Sequence, residues 1–206
     1  MGRRRQHGAL TALALLDAAE AILHETGPAA LSVRAVAGRV GASTRAVYSV
    51  YDSKEGLLVA LGARAFDTLS AGVAALPTTD HPAADLVEAG VTVFRQFAIQ
   101  HPWLFRIAIQ HALPSAQLAG GFSGAAAEAF AGLIGRVSRL GEAGLLGPHT
   151  TEQAACAFHA LCEGLAAMEL RGSMPLAAGE RVWRDALGAL VAGFAVPPSG
   201  AFSGVE

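Results

Sequence analysis

Apolar residues recur three and four positions apart along almost the whole chain, which is the period of a helix burying one face. The strict alternation of a half-buried strand appears nowhere. Val33, Val36, Ala37 and Val40 form one such set, with Ser32 placed just ahead to cap the helix they predict. Gly41 offers the left-handed backbone that ends this helix, and Ser43 caps a second one whose inner face is Ala46, Val47 and Val50. The turn between them is about three residues long, the length of a helix-turn-helix connection. Upstream, Leu15, Ala19, Ile22 and Leu23 continue a stripe that closes at Gly27, so another helix precedes the pair.

After the pair, Asp52 or Ser53 starts a long helix to about Leu76, on the stripe Leu57, Leu58, Leu61, Ala65, Leu69, Val73 and Leu76. The run PTTDHP, Pro77 to Pro82, breaks it. Further helices are predicted from Ala83 to about Gln100, from Pro102, from Phe122 to Leu146, from Thr151 to Arg171 and from Ala178 to Ala195. Leu113 to Gly121 reads as a flexible loop, Gly147-Pro148 as a break and the tail from Pro197 as loose; Thr150 or Thr151, with Glu152 or Gln153 nearby, restarts the chain. The expected fold is all-α with about nine helices, a three-helix head carrying the helix-turn-helix ahead of a larger helical body.

The polar positions of the head point to chemistry. Thr44, Arg45, Tyr48 and Ser49 lie away from the apolar face of the second helix, and Lys54 opens the long helix. Hydroxyls, a guanidinium, a phenol and a cation at a helix start suit base edges and phosphate oxygens. With Ser32, Arg34 and Ser43 they make the candidate DNA-contact set. Charge agrees: residues 1–64 carry a net +3 and residues 65–206 a net −5, and Lys54 is the sole lysine. Arg3, Arg4 and Arg5 are expected as a basic arm before the first helix, able to follow a phosphate backbone.

These residues carry a family resemblance. Gly27, then LSVRAVAGRVGAS, aromatics at Tyr48 and Tyr51, and SKEGLL resemble the DNA-binding domain of the TetR/AcrR (tetracycline-repressor) regulators over about Leu10 to Leu61. One position departs: Val50 stands where that family usually has a tyrosine or histidine that contacts phosphate. The resemblance therefore puts phosphate anchoring on Ser32, Tyr48 and Lys54. It implies a DNA-binding domain at residues 1–55, a ligand-binding and dimerisation domain at 56–196 and a flexible tail at 197–206.

The last two helices are rich in small residues on several faces, including Ala160, Gly164, Ala167, Gly188 and Ala192, so they call for cover on more than one side. A second copy on a twofold axis is the expected cover, which makes the operator palindromic. TetR-like proteins dimerise through this pair, and the resemblance adds to the expectation. Aromatic content gathers in the body. Phe94, Phe97, His101, Phe105, Phe130, His159 and Glu163 form the candidate lining for an unknown small-molecule ligand. HALCEGLAAMEL resembles the Trp-x-x-x-His-Gly (WHG) segment of one TetR subclass, with His159 for the tryptophan, Glu163 for the histidine and Gly164 kept.

His159 and Glu163 are also four apart, a metal-ligand spacing. The alternative reading is a metal-dependent helical enzyme or binding protein with His101 or His111 as third ligand. No HExxH run, phosphate loop or nucleophile elbow is present, so no enzyme, cofactor or metal is expected. Cys156 and Cys162 are six apart on a helix, read as small core residues. MGRRR followed by Ala9 to Leu16 imitates a secretory signal, but Asp17 and Glu20 interrupt the apolar run; Gln6 replaces the serine or threonine that myristoylation requires. The longest apolar-plus-glycine stretch, Ala186 to Val196, is shorter than the ~20 residues of a membrane span. A cytoplasmic homodimeric transcription regulator is expected, a repressor released from DNA by a ligand.

Overall fold

Nine helices and no strand make up the described part of a computed structural model, residues 2–110, 123–174 and 178–196. They are α1 (Gly2–Thr26), α2 (Val33–Arg39), α3 (Thr44–Tyr51), α4 (Lys54–Ala75), α5, α6 (Pro102–Ala108), α7 (Ser123–Glu142), α8 (Thr151–Leu170) and α9 (Gly179–Phe194), with a short 3-10 turn at Pro28–Ala30. α5 is one continuous rod, α-helical over Pro82–Glu88, π-helical over Ala89–Arg95 and α-helical again over Gln96–Gln100. The expected loop at Leu113 to Gly121, Phe122 and the tail from Pro197 lie outside the described residues.

Most predicted boundaries fall within two residues of the observed ones, and the exceptions have local causes. α7 ends at Glu142 rather than Leu146, because Gly144 takes φ +71° and the Leu145 N–H bonds back to the Leu140 carbonyl at 2.8 Å, a left-handed helix stop. α1 begins at Gly2, so the arginines expected as an arm belong to the helix itself. α8 starts on a full capping box: Thr150 accepts from the Gln153 N–H, and the Gln153 side chain accepts from the Thr150 N–H.

The chain divides into two compact units, residues 1–68 with 100–128 and residues 69–99 with 129–206. The first unit thus holds α6 as well as the head helices. Its buried side chains include Leu15, Ala19 and Leu23 of α1, Val36 and Ala37 of α2, Val47 of α3, Leu57, Leu61 and Ala65 of α4, and Phe105 of α6. α4 is long and apolar enough to cross a membrane by length and composition alone, although Arg64 and Asp67 interrupt its apolar run. Here Arg64 is paired with Asp17 at 2.6 Å and Glu20 at 3.1 Å, and Leu57, Leu58, Leu61 and Leu69 of the helix are buried.

The second unit is built on α5, α7, α8 and α9. Trp183 is fully buried and its indole N–H donates to Glu169 at 2.8 Å, while Arg95 holds the same carboxylate through Nε and Nη2. This charge-assisted lock joins all three of α5, α8 and α9. The π-helical turn of α5 places Gly90 where a side chain would overlap Leu187 and press on Phe158 at 3.1 Å. A side chain there would need Leu187 to give way.

In the first turn of α5, Asp85 accepts from the Thr79 N–H at 2.8 Å, the Thr79 hydroxyl at 2.7 Å and Arg139 at 2.6 Å. Arg139 first, then the two bonds from Thr79, hold this carboxyl at about 2 against an ordinary 3.8. Its contribution to stability is therefore complete above pH 3.8 and lost as pH falls through about 2. Asp85→Asn is expected to lower the urea midpoint at pH 7, with the difference from the parent shrinking steadily below pH 3.8; a deficit that stays constant with pH contradicts this.

Candidate nucleic-acid interface

The helix-turn-helix forms as its sequence dictates. The Ser32 hydroxyl accepts from the Ala35 N–H at 3.1 Å and that of Ser43 from the Ala46 N–H at 3.2 Å, so both helices start on side-chain caps. Gly41 takes φ +67° between them, in a connection of four residues, Val40 to Ser43. Val36, Ala37 and Val47 turn inward and are buried. Ser32, Arg34, Ser43, Thr44, Arg45, Tyr48, Ser49 and Lys54 are all exposed, Tyr48 by half.

The electrostatics sort the cations. Arg39 is held by Glu25 of α1 through two bonds, at 2.7 and 2.5 Å, and Arg64 by Asp17 and Glu20. Arg34, Arg45 and Lys54 remain on the surface of this unit for an outside anion. Both capping serines accept through oxygen and keep a hydroxyl proton to donate, while the Ser49 hydroxyl donates to the Ala46 carbonyl at 2.9 Å.

Two residues that resemblance placed beside the DNA contacts have internal tasks. The Tyr51 hydroxyl donates to the Ala12 carbonyl at 2.6 Å, tying the end of α3 to α1, and burial raises its pKa. Ser53, not Asp52, caps α4 by accepting from the Gly56 N–H at 2.9 Å, and Asp52 takes φ +59° as α3 stops. Sequence reasoning missed Gly56 altogether. A Cβ there would collide with the Tyr51 carbonyl, so the glycine in SKEGLL lets α4 leave close against the end of α3. A glycine in the first turn of a predicted helix was the available signal, since that position gains nothing from helix propensity.

The candidate ligand residues fall in both units. In the second, the His159 ring meets Phe94 edge to face at 5.6 Å and Phe130 at 6.2 Å. Burial pushes the His159 imidazole down from its ordinary value, against the opposing pull of Glu163. Phe97 is buried and Glu163 half-buried one turn beyond His159. In the first unit, Phe105 is fully buried and His101 sits 2.8 Å from Glu20. Phe94, Phe130 and His159 thus form one ring cluster in the second unit, while His101, just ahead of α6, and Phe105, on it, belong to the first. His111 lies outside the described residues, and among those described no group of three His, Cys, Asp or Glu side chains could hold a metal ion.

A helix-turn-helix head with a cationic outer surface, carried on an all-helical body, defines a DNA-binding regulator. Family matches agree. Residues 15–61 match the bacterial regulatory proteins of the tetR family, and residues 87–190 match the tetracyclin repressor-like C-terminal domain. The chain belongs to the tetR family of transcriptional regulators, whose members bind DNA and are not enzymes. A protein of unknown function from a Rhodococcus species shares the fold at a TM-score of 0.80 and 23% identity, over 90% of this chain and 96% of that one. The regulator PfmR from Thermus thermophilus matches at 0.64 and 22%, over 86% and 96%, and the multidrug binding protein EbrR, solved with imidazole, at 0.64 and 22%, over 97% and 94%. No curated protein sequence matches the chain.

Because Tyr51 bonds inward, Tyr51→Phe is expected to lower stability by about 1 kcal/mol, the usual net worth of one such hydrogen bond. Its DNA sequence preference should be that of the parent. Urea denaturation and a gel-shift series on two competing duplexes read the two effects separately.

Proposed function

We propose that this regulator is a homodimeric repressor that reads a palindromic operator with α3 of each copy and leaves it when a small molecule enters the body. The observation that carries the reading is the exposure of all eight candidate residues on α2, α3 and the start of α4, over a buried inner face. Arg34, Thr44, Arg45 and Ser49 are assigned to base edges and nearby phosphates. Ser32, Ser43, Tyr48 and Lys54 are assigned to the backbone. Residues 1–55 then read DNA, residues 56–196 bind ligand and dimerise, residues 197–206 form the tail, and the protein works in the cytoplasm where its operator is.

The surface of α8 supports the dimer. Cys156, Ala160, Gly164 and Met168 follow one another at intervals of four and are all exposed, opposite the buried Phe158, Cys162, Leu165 and Ala166. Cys156 is therefore not the core residue its neighbour Cys162 is. Ala189 and Ala192 of α9 are exposed as well, and a Cβ added at Gly164 or Gly188 would meet nothing, which suits the close approach of a second copy.

For the ligand, the ring cluster of Phe94, Phe130 and His159 is the nucleus, with Phe97 and Glu163 on the same helices. A largely uncharged aromatic setting with one imidazole suits an apolar molecule that offers a hydrogen-bond partner. EbrR, a multidrug binder with the same fold, supports a ligand-taking body. The ligand must favour one spacing of the two heads over the other, with a coupling of about 1 to 3 kcal/mol typical of such switches.

Selection of genomic fragments by the purified protein, followed by gel shifts, tests the reading; the selected sites should share an inverted repeat. Absence of a sequence-preferring complex overturns it. Tyr48→Phe and Lys54→Ala are expected to weaken every site, with Lys54→Ala lowering the slope of log K against log salt by about one. Arg45→Ala should flatten the preference at one position of each half-site, and an unchanged preference removes Arg45 from base reading.

A further inference from the structure

Of the fifteen lysine and arginine side chains in the sequence, one is a lysine. That residue, Lys54, opens α4 directly after the capping Ser53, in the same compact unit as the exposed Arg34 and Arg45. Its side chain is exposed, and no hydrogen bond or ion pair among the described residues engages its ammonium. Arg39 and Arg64 of this unit, by contrast, are each held by carboxylates of α1.

Phosphate contact alone does not call for a lysine here. An arginine offers the same charge and more donors, and everywhere else the chain uses one. What a lysine has and an arginine lacks is a primary amine that can shed its proton and act as a nucleophile, whereas a guanidinium stays protonated and inert to acylation. An acyl group on Lys54 would remove its charge and leave every arginine as it was. The exposed cations Arg34 and Arg45 favour the approach of a small anionic donor to this unit, as they favour a DNA phosphate.

We propose that Lys54 is an acylation site through which an acyl phosphate lowers the affinity of the head for DNA. The neutral amine attacks the acyl carbon; the N–C bond forms, the C–O bond to phosphate breaks with its electron pair leaving on the phosphate, and the surplus proton of the nitrogen passes to solvent. Nothing is oxidised or reduced. The product is an uncharged amide at the start of α4, where the unmodified chain presents a cation. The inference rests on the assignment of Lys54 to DNA phosphate above. Acylation is read by mass and needs no DNA, so the two fail separately.

The purified protein is incubated with acetyl phosphate at about pH 8, below the ordinary lysine range but high enough to free part of the amine. Peptide mass mapping reads acetylation of Lys54 apart from that of the terminal amine, and gel shifts on a selected duplex read affinity. The expected result is an acetylated Lys54, a loss of about tenfold in affinity at about 0.1 M salt, and a salt slope shallower by about one, as for Lys54→Ala. Lys54→Gln should bind as weakly without treatment. Lys54→Arg, whatever its own affinity, should bind equally before and after it. Bound duplex should slow acetylation of Lys54 by about tenfold, since a phosphate contact buries the amine. Lys54 left unmodified while free Nα-acetyl-lysine in the same mixture is acetylated overturns the proposal, and so does a loss of affinity as large in Lys54→Arg. No sequence-preferring complex before treatment overturns the regulator reading, whereas a complex that acetylation of Lys54 leaves intact overturns this proposal alone.

Discussion

α3 is eight residues long, too short to hold a helical shape in water by itself, and how it presents its outer side chains depends on how firmly it is held from behind. Four constraints do this. Ser43 caps its start, Val47 is fully buried beneath it, the Tyr51 hydroxyl bonds to α1, and Gly56 lets α4 leave against its last carbonyl. With these in place Thr44, Arg45, Tyr48 and Ser49 are presented together on a rigid support, which under the proposed reading leaves little ordering to be done when DNA arrives.

The body applies the opposite economy of side chains. Where α5, α8 and α9 approach most closely, a glycine replaces a side chain and the helix widens to a π turn; where they need an anchor, Arg95, Glu169 and Trp183 share one carboxylate. Close packing of this sort gives discrete alternative arrangements rather than continuous deformation, which suits the proposed switch. On α8 the small residues that are not consumed by the core form the exposed stripe read above as the meeting surface of two copies.

Much of this was legible in the sequence for local reasons. Helix starts at Ser32, Ser43 and Thr150, and the stop at Gly41, depend on the residue and its immediate neighbours, and their hydrogen bonds form as the pattern implies. What escaped depends on distant partners. Tyr51 finds Ala12 and Gly56 meets a carbonyl of the preceding helix, and neither relation leaves a periodic trace. Cys156 and Cys162 look alike in the chain, yet only burial of Cys162 against Gly90 separates the core face of α8 from its outer one. His101 and Phe105 read as neighbours of the His159 cluster because aromatic residues crowd that stretch; packing gives them to the unit of the head.

The central claim is that α2, α3 and the start of α4 are the DNA-reading surface. Hydrogen–deuterium exchange of the full protein, with and without a selected duplex, tests it most directly. Slowed exchange centred on residues 32–54 is the predicted result. Protection confined to residues 129–196, with none in the helix-turn-helix, would contradict it.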